Sequence, residues 1–513
     1  MTRIPTSLYC GASSSLVMMI FLKQNQVRRK GNQDGKGCIV NSELTESEGT
    51  ELMAFYGRIE ERRKIRRALS RDGQQVVLVF GRRRVGKSEL IKQCLRDEDP
   101  RGMTLYYECK QTSEADNARS LSALIAEELG TPPLAFGNME EVLSFLFERS
   151  LEEPVTLVLD EYPYLRSAVK GLDSILQALL DRHRDSSRLH LVLCGSFVDV
   201  MRSLLERENP LYGRVDLTID LKPMDYYDSS AFYPSFSAED RVRLFSVFGG
   251  IPYYNRLIDS ALSVRENIME LIASPGARLE NEVSMFLGSE ISKIANANEV
   301  FGALAQGYSK YKDILSQSHV SSGPAMVDVL DKLVRMELVQ KRAPINDPGN
   351  RRKAGYHIVD GLSLFYYRYV FRYSSQMSVM APEAFFDRFV ADDFEHGYVP
   401  LAFEEVCRQY LIRQNRAGLL DMPFDQIGRY HYDDPTTHTN GEFDVVTHDP
   451  DGYVFYEAKF RSTPVTEKMI EQEIEQVERT GLHCRKYGFF SRSGFDAEPS
   501  EQRIFITLEE MYE

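Results

Sequence analysis

QQVVLVFGRRRVGKSELIKQCL, residues 74–95, is the stretch that decides the fold. Its apolar, β-branched run from Val76 to Phe80 reads as a buried strand. Gly81-Arg-Arg-Arg-Val-Gly86-Lys87-Ser88 follows, and then a helical pattern. In that context G-x-x-x-x-G-K-[ST] is a phosphate-binding loop. Gly81 and Gly86 let the backbone curl so that its N–H groups face phosphate, helped by the positive end of the helix. Lys87 then reaches the β- and γ-phosphates of ATP, and Ser88 offers its hydroxyl to Mg²⁺. Gly81, Arg82, Arg83, Arg84, Val85, Gly86, Lys87, Ser88 and Glu89 form the expected nucleotide-binding segment. The three arginine side chains read as solvated or partner-facing, not catalytic.

Such a site needs a second strand that carries a carboxylate, and VTLVLDE (155–161) supplies it. The run ends in Asp160 and Glu161 at the edge where open α/β sheets bind ligands. Asp160 is expected to hold Mg²⁺, and Glu161 to orient or deprotonate the attacking water. TLYYEC (104–109) reads as a further strand between the two motifs, and LHLVLCGS (189–196) as another that ends in Ser196, a candidate sensor of the γ-phosphate. A strand between the motifs, with Glu after the Mg²⁺ aspartate, describes additional-strand P-loop ATPases, not kinases or GTPases. Arg214, which closes NPLYGR, is a candidate arginine finger; the alternative is a surface arginine at a loop end.

The rest of the chain bounds these readings. At 513 residues it divides into several domains, and its 43% hydrophobic and 27% charged residues are ordinary for a globular protein. A net charge of −14 repels polyanions overall, so contact with DNA or RNA must come from local patches. Seven cysteines without a CxxC pair argue against a disulfide framework and a zinc knuckle, and for a reducing, cytoplasmic setting. No apolar run reaches the roughly 18 residues of a membrane span. LVMMIFL (16–22) is too short for a secretory signal and is followed by basic residues and GNQDGKG. Residues 1–52 therefore read as a loosely ordered extension, and Met53 as the start of the folded chain and of translation, with a real but disordered tail as the alternative.

The motifs FYGRIEE (55–61), FGRRRVGKSEL, LVLDEYPYL, CGSFVDVM, NPLYGR, GGIPYY, YHIVDGLSLFYYRYV and FFSRSGF occur in that order over residues 53–513. The chain thereby resembles the archaeal-type P-loop ATPases related to AAA+ and STAND proteins, which carry a winged helix and a C-terminal restriction-endonuclease-like domain of unknown function. The resemblance implies an α/β chain with an ATPase core at 53–222, a helical lid at 223–295, a winged helix at 296–372 and a nuclease-like domain at 373–513. It also implies that Gly57 and Arg58 lie near the adenine or ribose.

In the middle, 297–306 and 310–316 read as short helices, and Pro324 to Leu338 as a helix with apolar residues at 327, 330, 333, 334 and 338. LVQKRAPI and GYHIVD would form the wing, with Lys341, Arg342, Arg351, Arg352 and Lys353 as its basic residues, either DNA-contacting or simply solvated. Further on, EFDVVTHDPDGYVFYEAKF (442–460) reads as a hairpin turning at Asp449–Gly452, which would oppose Asp444 to Glu457 and Glu442 to Lys459. Opposed like charges are destabilising, and a divalent cation between them would explain their presence. In LAFEEVCRQYLI (401–412), Phe403, Val406, Cys407, Tyr410 and Leu411 form an apolar stripe. Glu404 lies at the edge of that stripe and Glu405 on the opposite, wet face. Glu404, Asp444 and Glu457 are thus the expected Mg²⁺ or Mn²⁺ ligands, with Lys459 placed on the attacked phosphate, in the D…ExK pattern of restriction-endonuclease-like nucleases. Phe443 stands where a proline often precedes that aspartate. The same residues also fit a degenerate fold kept for binding. Three functions follow: an ATPase that controls a nuclease, an ATP-dependent switch for a protein, DNA or RNA partner or for self-association, or a remodelling ATPase.

Overall fold

β1 (Gln75–Phe80) is buried along its whole length because it stands inside a parallel sheet. With β2 (Met103–Glu108), β3 (Val155–Asp160), β4 (Leu189–Gly195) and β5 (Leu217–Asp220), the strand order is β2-β3-β4-β1-β5. β4 thus separates the loop-bearing strand from the one that ends in Asp160. Alternation along β1 sends Val77 and Val79 to one face, with Ile65 and Leu90, and Val76, Leu78 and Phe80 to the other, with Leu121 and Leu143. The helices on that second face are closed by local chemistry. Ser113 and Asn138 cap Glu114–Leu129 and Met139–Glu152, each accepting an N–H three residues on.

The computed structural model describes residues 55–97, 102–290, 294–320, 322–350, 352–434, 439–481 and 484–513. The expected extension 1–52, the start at Met53 and the basic residue Arg351 lie outside the described residues. Phe55–Glu513 form one compact unit.

Past the sheet, helices Ile294–Ala305, Tyr311–Gln317 and Gly323–Arg335 precede an antiparallel hairpin, β6 (Val339–Arg342) with β7 (Gly355–Ile358). The third helix buries Met326, Val329, Leu330 and Leu333; of the expected apolar positions Leu330, Leu333 and the following Leu338 are buried and Val334 packs against the core, while Val327 is 46% exposed. The long helix Val399–Ala417 buries Phe403, Val406, Cys407 and Leu411. It packs on a second sheet of order β14-β12-β10-β9-β8, built from β8 (Gln426–Asp434), β9 (Thr439–Asp449), β10 (Gly452–Lys459), β12 (Cys484–Ser491) and β14 (Arg503–Thr507). Two short strands, β11 (Val465–Thr466) and β13 (Phe495–Asp496), pair beside it.

The hairpin register is the expected one from Asp449↔Gly452 to Val445↔Tyr456, where the pairing ends. Asp444 and Glu457 are therefore not a ladder pair. Glu457 and Lys459 lie opposite Phe489 and Ser491 of β12, and Glu442 opposite His431 of β8 instead of Lys459. The pairing ends where β9 is irregular against β8, between the Gly428↔Val446 and Tyr430↔Phe443 pairs.

Candidate functional site

The loop after β1 requires both glycines. A Cβ on Gly81 would stand 2.2 Å from the Leu221 carbonyl oxygen, and Gly86 has φ +97°, which side chains disfavour. Lys87 is buried, and its ammonium donates to the carbonyls of Gly81 (3.0 Å) and Arg82 (3.1 Å) and to Ser196 Oγ (2.9 Å). Burial lowers its pKa, against the pull of nearby acidic groups that include Glu161 and Asp160. Ser196 in turn donates its hydroxyl (2.7 Å) and its N–H (3.2 Å) to Glu161. Lys87, Ser196 and Glu161 thus form one hydrogen-bonded chain across the ends of β1, β4 and β3. Glu161 has φ +52°, a left-handed backbone uncommon outside glycine and frequent at functional sites.

Ser88 Oγ donates to Asp160 Oδ2 at 2.6 Å, and the Tyr106 hydroxyl donates to the same oxygen at 2.5 Å. Burial, then Asp160, holds the Tyr106 phenol far above its usual pKa, so it stays a donor. Two oxygens of the types that ligate Mg²⁺ are therefore side by side, and the residues present fit the ion.

Lys87, Ser88, Glu161 and Ser196 floor a cavity of about 250 Å³. Phe55, Tyr56, Phe232 and Pro252 give it an apolar side, and Arg83, Arg84 and Arg256 a cationic one. Arg58 lines it as well and ties the loop down through Lys222 O (2.6 Å) and Val85 O (3.4 Å). Gly57, at φ +64°, packs against Asp228 behind the lining. Glu89 lines the cavity from the first helical turn, while Val85 is fully buried.

The arginines do not behave alike. Arg83 is exposed, as expected. Arg82 is not solvated: it is 5% exposed and donates at 2.8 Å to Asp360, which caps the helix Gly361–Phe365 through Ser363. Arg84 pairs with Glu282 at 2.6 Å and lies over the Tyr253 ring. Arg214 does not line the cavity of its own chain, because Asp181 grips its guanidinium at 2.7 and 2.8 Å. Arg256, exposed at the end of the short helix Pro252–Asn255, reaches the cavity instead. The sequence reading missed it; GGIPYYNR, a turn followed by arginine, was the available signal.

At the C-terminal sheet, Glu404 does lean from its helix toward β8 and β9. Arg429 stands 3.7 Å from Glu404, 3.5 Å from Glu442 and 3.3 Å from Asp444. Lys459 bonds Glu457 (2.6 Å) and Glu473 (2.8 Å). Burial, then Asp444, pushes the Glu404 carboxyl up to about 8; burial also raises Asp444 and Glu457. Among the described residues, no group of three or more His, Cys, Asp or Glu converges as a metal site. Glu404, Asp444 and Glu457 are neighbours, but the cations between them are side chains. Glu405 is not on a wet face: it accepts from Arg408 (2.9 Å) and pairs with Arg342 (3.2 Å).

Residues 55–256 match an ATPase domain family described as predominantly from Archaea, and residues 366–476 a family of archaeal and bacterial proteins of unknown function. The chain carries a P-loop ATPase domain. An uncharacterised protein of Methanocaldococcus jannaschii is 25% identical over 380 residues, 73% of this chain and 81% of that protein. Among solved structures, the Walker-type ATPase of Pyrococcus abyssi aligns with TM-score 0.46 at 20% identity, over 61% of this chain and 96% of that one. The ORC2 protein of Aeropyrum pernix aligns with TM-score 0.40 at 14% identity, over 63% and 96%. No described helix is long and apolar enough to cross a membrane.

Proposed function

We propose that this chain is a cytoplasmic ATPase whose nucleotide cycle controls a C-terminal, restriction-endonuclease-like module acting on nucleic acid, with helices 294–335 and hairpin β6–β7 as a winged helix between them. The observation that carries the ATPase half is the Lys87–Ser196–Glu161 chain beside the Ser88–Asp160 pair. Lys87 turns from the loop carbonyls to the β- and γ-phosphates of ATP, and Ser88 and Asp160 hold Mg²⁺. The ion supplies charge neutralisation on the phosphates. Losing the lysine contact frees Ser196 to meet the γ-phosphate, and Glu161, released from Ser196, orients the attacking water and takes its proton. Arg256 and Arg83 are placed to face the transferred charge.

Control has a physical route. Arg82 belongs to the phosphate loop, and its partner Asp360 caps a helix whose Gly361 carbonyl accepts from Tyr398, next to the helix that bears Glu404. Movement of the loop is therefore felt at the carboxylates. A second reading, an ATP-dependent switch with an inactive binding module, is favoured by Arg429 standing among Glu404, Glu442 and Asp444. The test incubates the protein with plasmid, linear and single-stranded DNA and with RNA, with Mg²⁺ or Mn²⁺, with and without ATP. Cleavage that Asp444→Asn abolishes supports the first reading. ATP hydrolysis without any cleavage supports the second.

A further inference from the structure

The carboxylate that faces Ser88 is fixed by a strand outside both nucleotide-site motifs. β2 runs at the edge of the sheet beside β3, with Glu108 opposite Asp160 and Tyr106 opposite Val158. Residues two apart on a strand share a face, so Tyr106, Val158 and Asp160 all stand on the side of the sheet that packs against the helix Lys87–Asp97. The Cys109 N–H donates to the Asp160 carbonyl at 2.8 Å, which ties the end of β2 to that residue. From β2 the Tyr106 hydroxyl reaches Asp160 Oδ2 at 2.5 Å, the oxygen that also accepts from Ser88 at 2.6 Å, while Oδ1 accepts the Glu161 N–H at 3.0 Å. Asp160 is buried, so these donors, and not bulk water, set the direction of its carboxylate. Lys92, one turn beyond Ser88 on the same helix, lies 5.1 Å from the centre of the Tyr106 ring and holds the ring in place. The consequence falls on Ser88. With its proton given to Asp160, its hydroxyl has lone pairs left for a cation. A phenylalanine would fill the same space beside Val158; what the tyrosine adds is the bond to the carboxylate. Partners that orient a metal's ligands in this way typically account for about 10–100-fold in metal affinity.

We propose that Tyr106 is a positioning residue of the Mg²⁺ site: it pins Asp160, and Asp160 in turn takes the Ser88 proton so that the Ser88 lone pairs face the ion. The proposal rests on the reading of Ser88 and Asp160 as the residues that hold Mg²⁺. Tyr106 does not line the nucleotide cavity, so its effect passes through Asp160 and not through the nucleotide.

The test compares the full chain with its Tyr106→Phe variant. Binding of the non-hydrolysable β,γ-imido analogue of ATP is followed by calorimetry, once with Mg²⁺ and once with EDTA. Mg²⁺ is expected to tighten binding in wild type. In Tyr106→Phe the metal-free affinity should stay within about two-fold of wild type, while the tightening conferred by Mg²⁺ should fall by about ten-fold or more. The Mg²⁺ concentration for half-maximal ATP turnover should rise by a similar factor. A role in holding the fold together would instead weaken both affinities alike. Equal tightening by Mg²⁺ in the two proteins overturns this proposal alone and leaves Ser88 and Asp160 as the Mg²⁺ residues. A metal-free affinity that falls as far as the affinity with Mg²⁺ overturns it as well. Wild type indifferent to Mg²⁺ would sink the reading of Ser88 and Asp160, and this proposal with it.

Discussion

The Arg82–Asp360 pair is where the phosphate loop meets the rest of the chain, and a double-mutant cycle measures its weight. The two side chains are 5% and 6% exposed and 2.8 Å apart. Burial alone would push the Asp360 carboxyl up; Arg82 and Ser363 outweigh it and hold the group below 3.8. Arg82→Met leaves that carboxylate buried beside Ser363 alone. Asp360→Asn keeps an oxygen for the cap but leaves the guanidinium uncompensated. Each single change should cost about 3–5 kcal/mol, the usual result of stranding a buried charge. The double variant strands nothing and should lose only about 1–2 kcal/mol, giving a coupling of several kcal/mol. Denaturant midpoints of the nucleotide-free protein at neutral pH read this directly. Since the folded pKa of Asp360 is depressed, its contribution is present above 3.8 and is lost as the pH falls. The penalty of Arg82→Met should therefore shrink in acid. Single variants within about 1 kcal/mol of wild type, or an additive double variant, would refute the argument.

Two more predictions address the other groups with defined surroundings. Glu404 binds its proton more tightly in the folded chain, up to about 8 against 4.5, so it adds stability below 4.5 that is lost as the pH rises through 8. Wild type should lose up to about 1.4 kcal/mol per pH unit across that window, and Glu404→Gln should not; parallel melting curves of the two would exclude the shift. Arg256→Ala should lower ATP turnover by about ten-fold or more, whereas Arg214→Ala should leave the rate at low protein concentration within about two-fold, which steady-state phosphate release distinguishes.

What the sequence made legible, and what it hid, has physical reasons. β1, the glycines of the loop and the places of Asp160 and Ser196 at strand ends were readable because a strand buried on both faces is apolar throughout and ends visibly where polar residues begin, and because the close approach of Leu221 and a positive φ restrict the loop to glycine at 81 and 86. The fate of Arg82 was not readable, since Asp360 stands 278 residues away and only tertiary packing brings it close. Arg214 and Arg256 are both loop arginines in sequence; Asp181, from another helix, decides which is occupied. Turn chemistry fixed the register of β9 and β10, but their pairing ends at Val445 and Tyr456, where β9 is irregular against β8, a strand outside the hairpin. Glu405 was placed on the wet face by helical geometry, and Arg342 of β6 covers that face.

ATP turnover by Glu161→Gln tests the central claim most directly. Its amide can still accept from Ser196 but cannot take a proton from water, while Lys87 and Ser88 are untouched. Measured beside wild type and Lys87→Ala, it should bind ATP with wild-type affinity and hydrolyse it at least about a hundred-fold more slowly, and Lys87→Ala should not bind. Hydrolysis by Glu161→Gln at the wild-type rate would contradict the account.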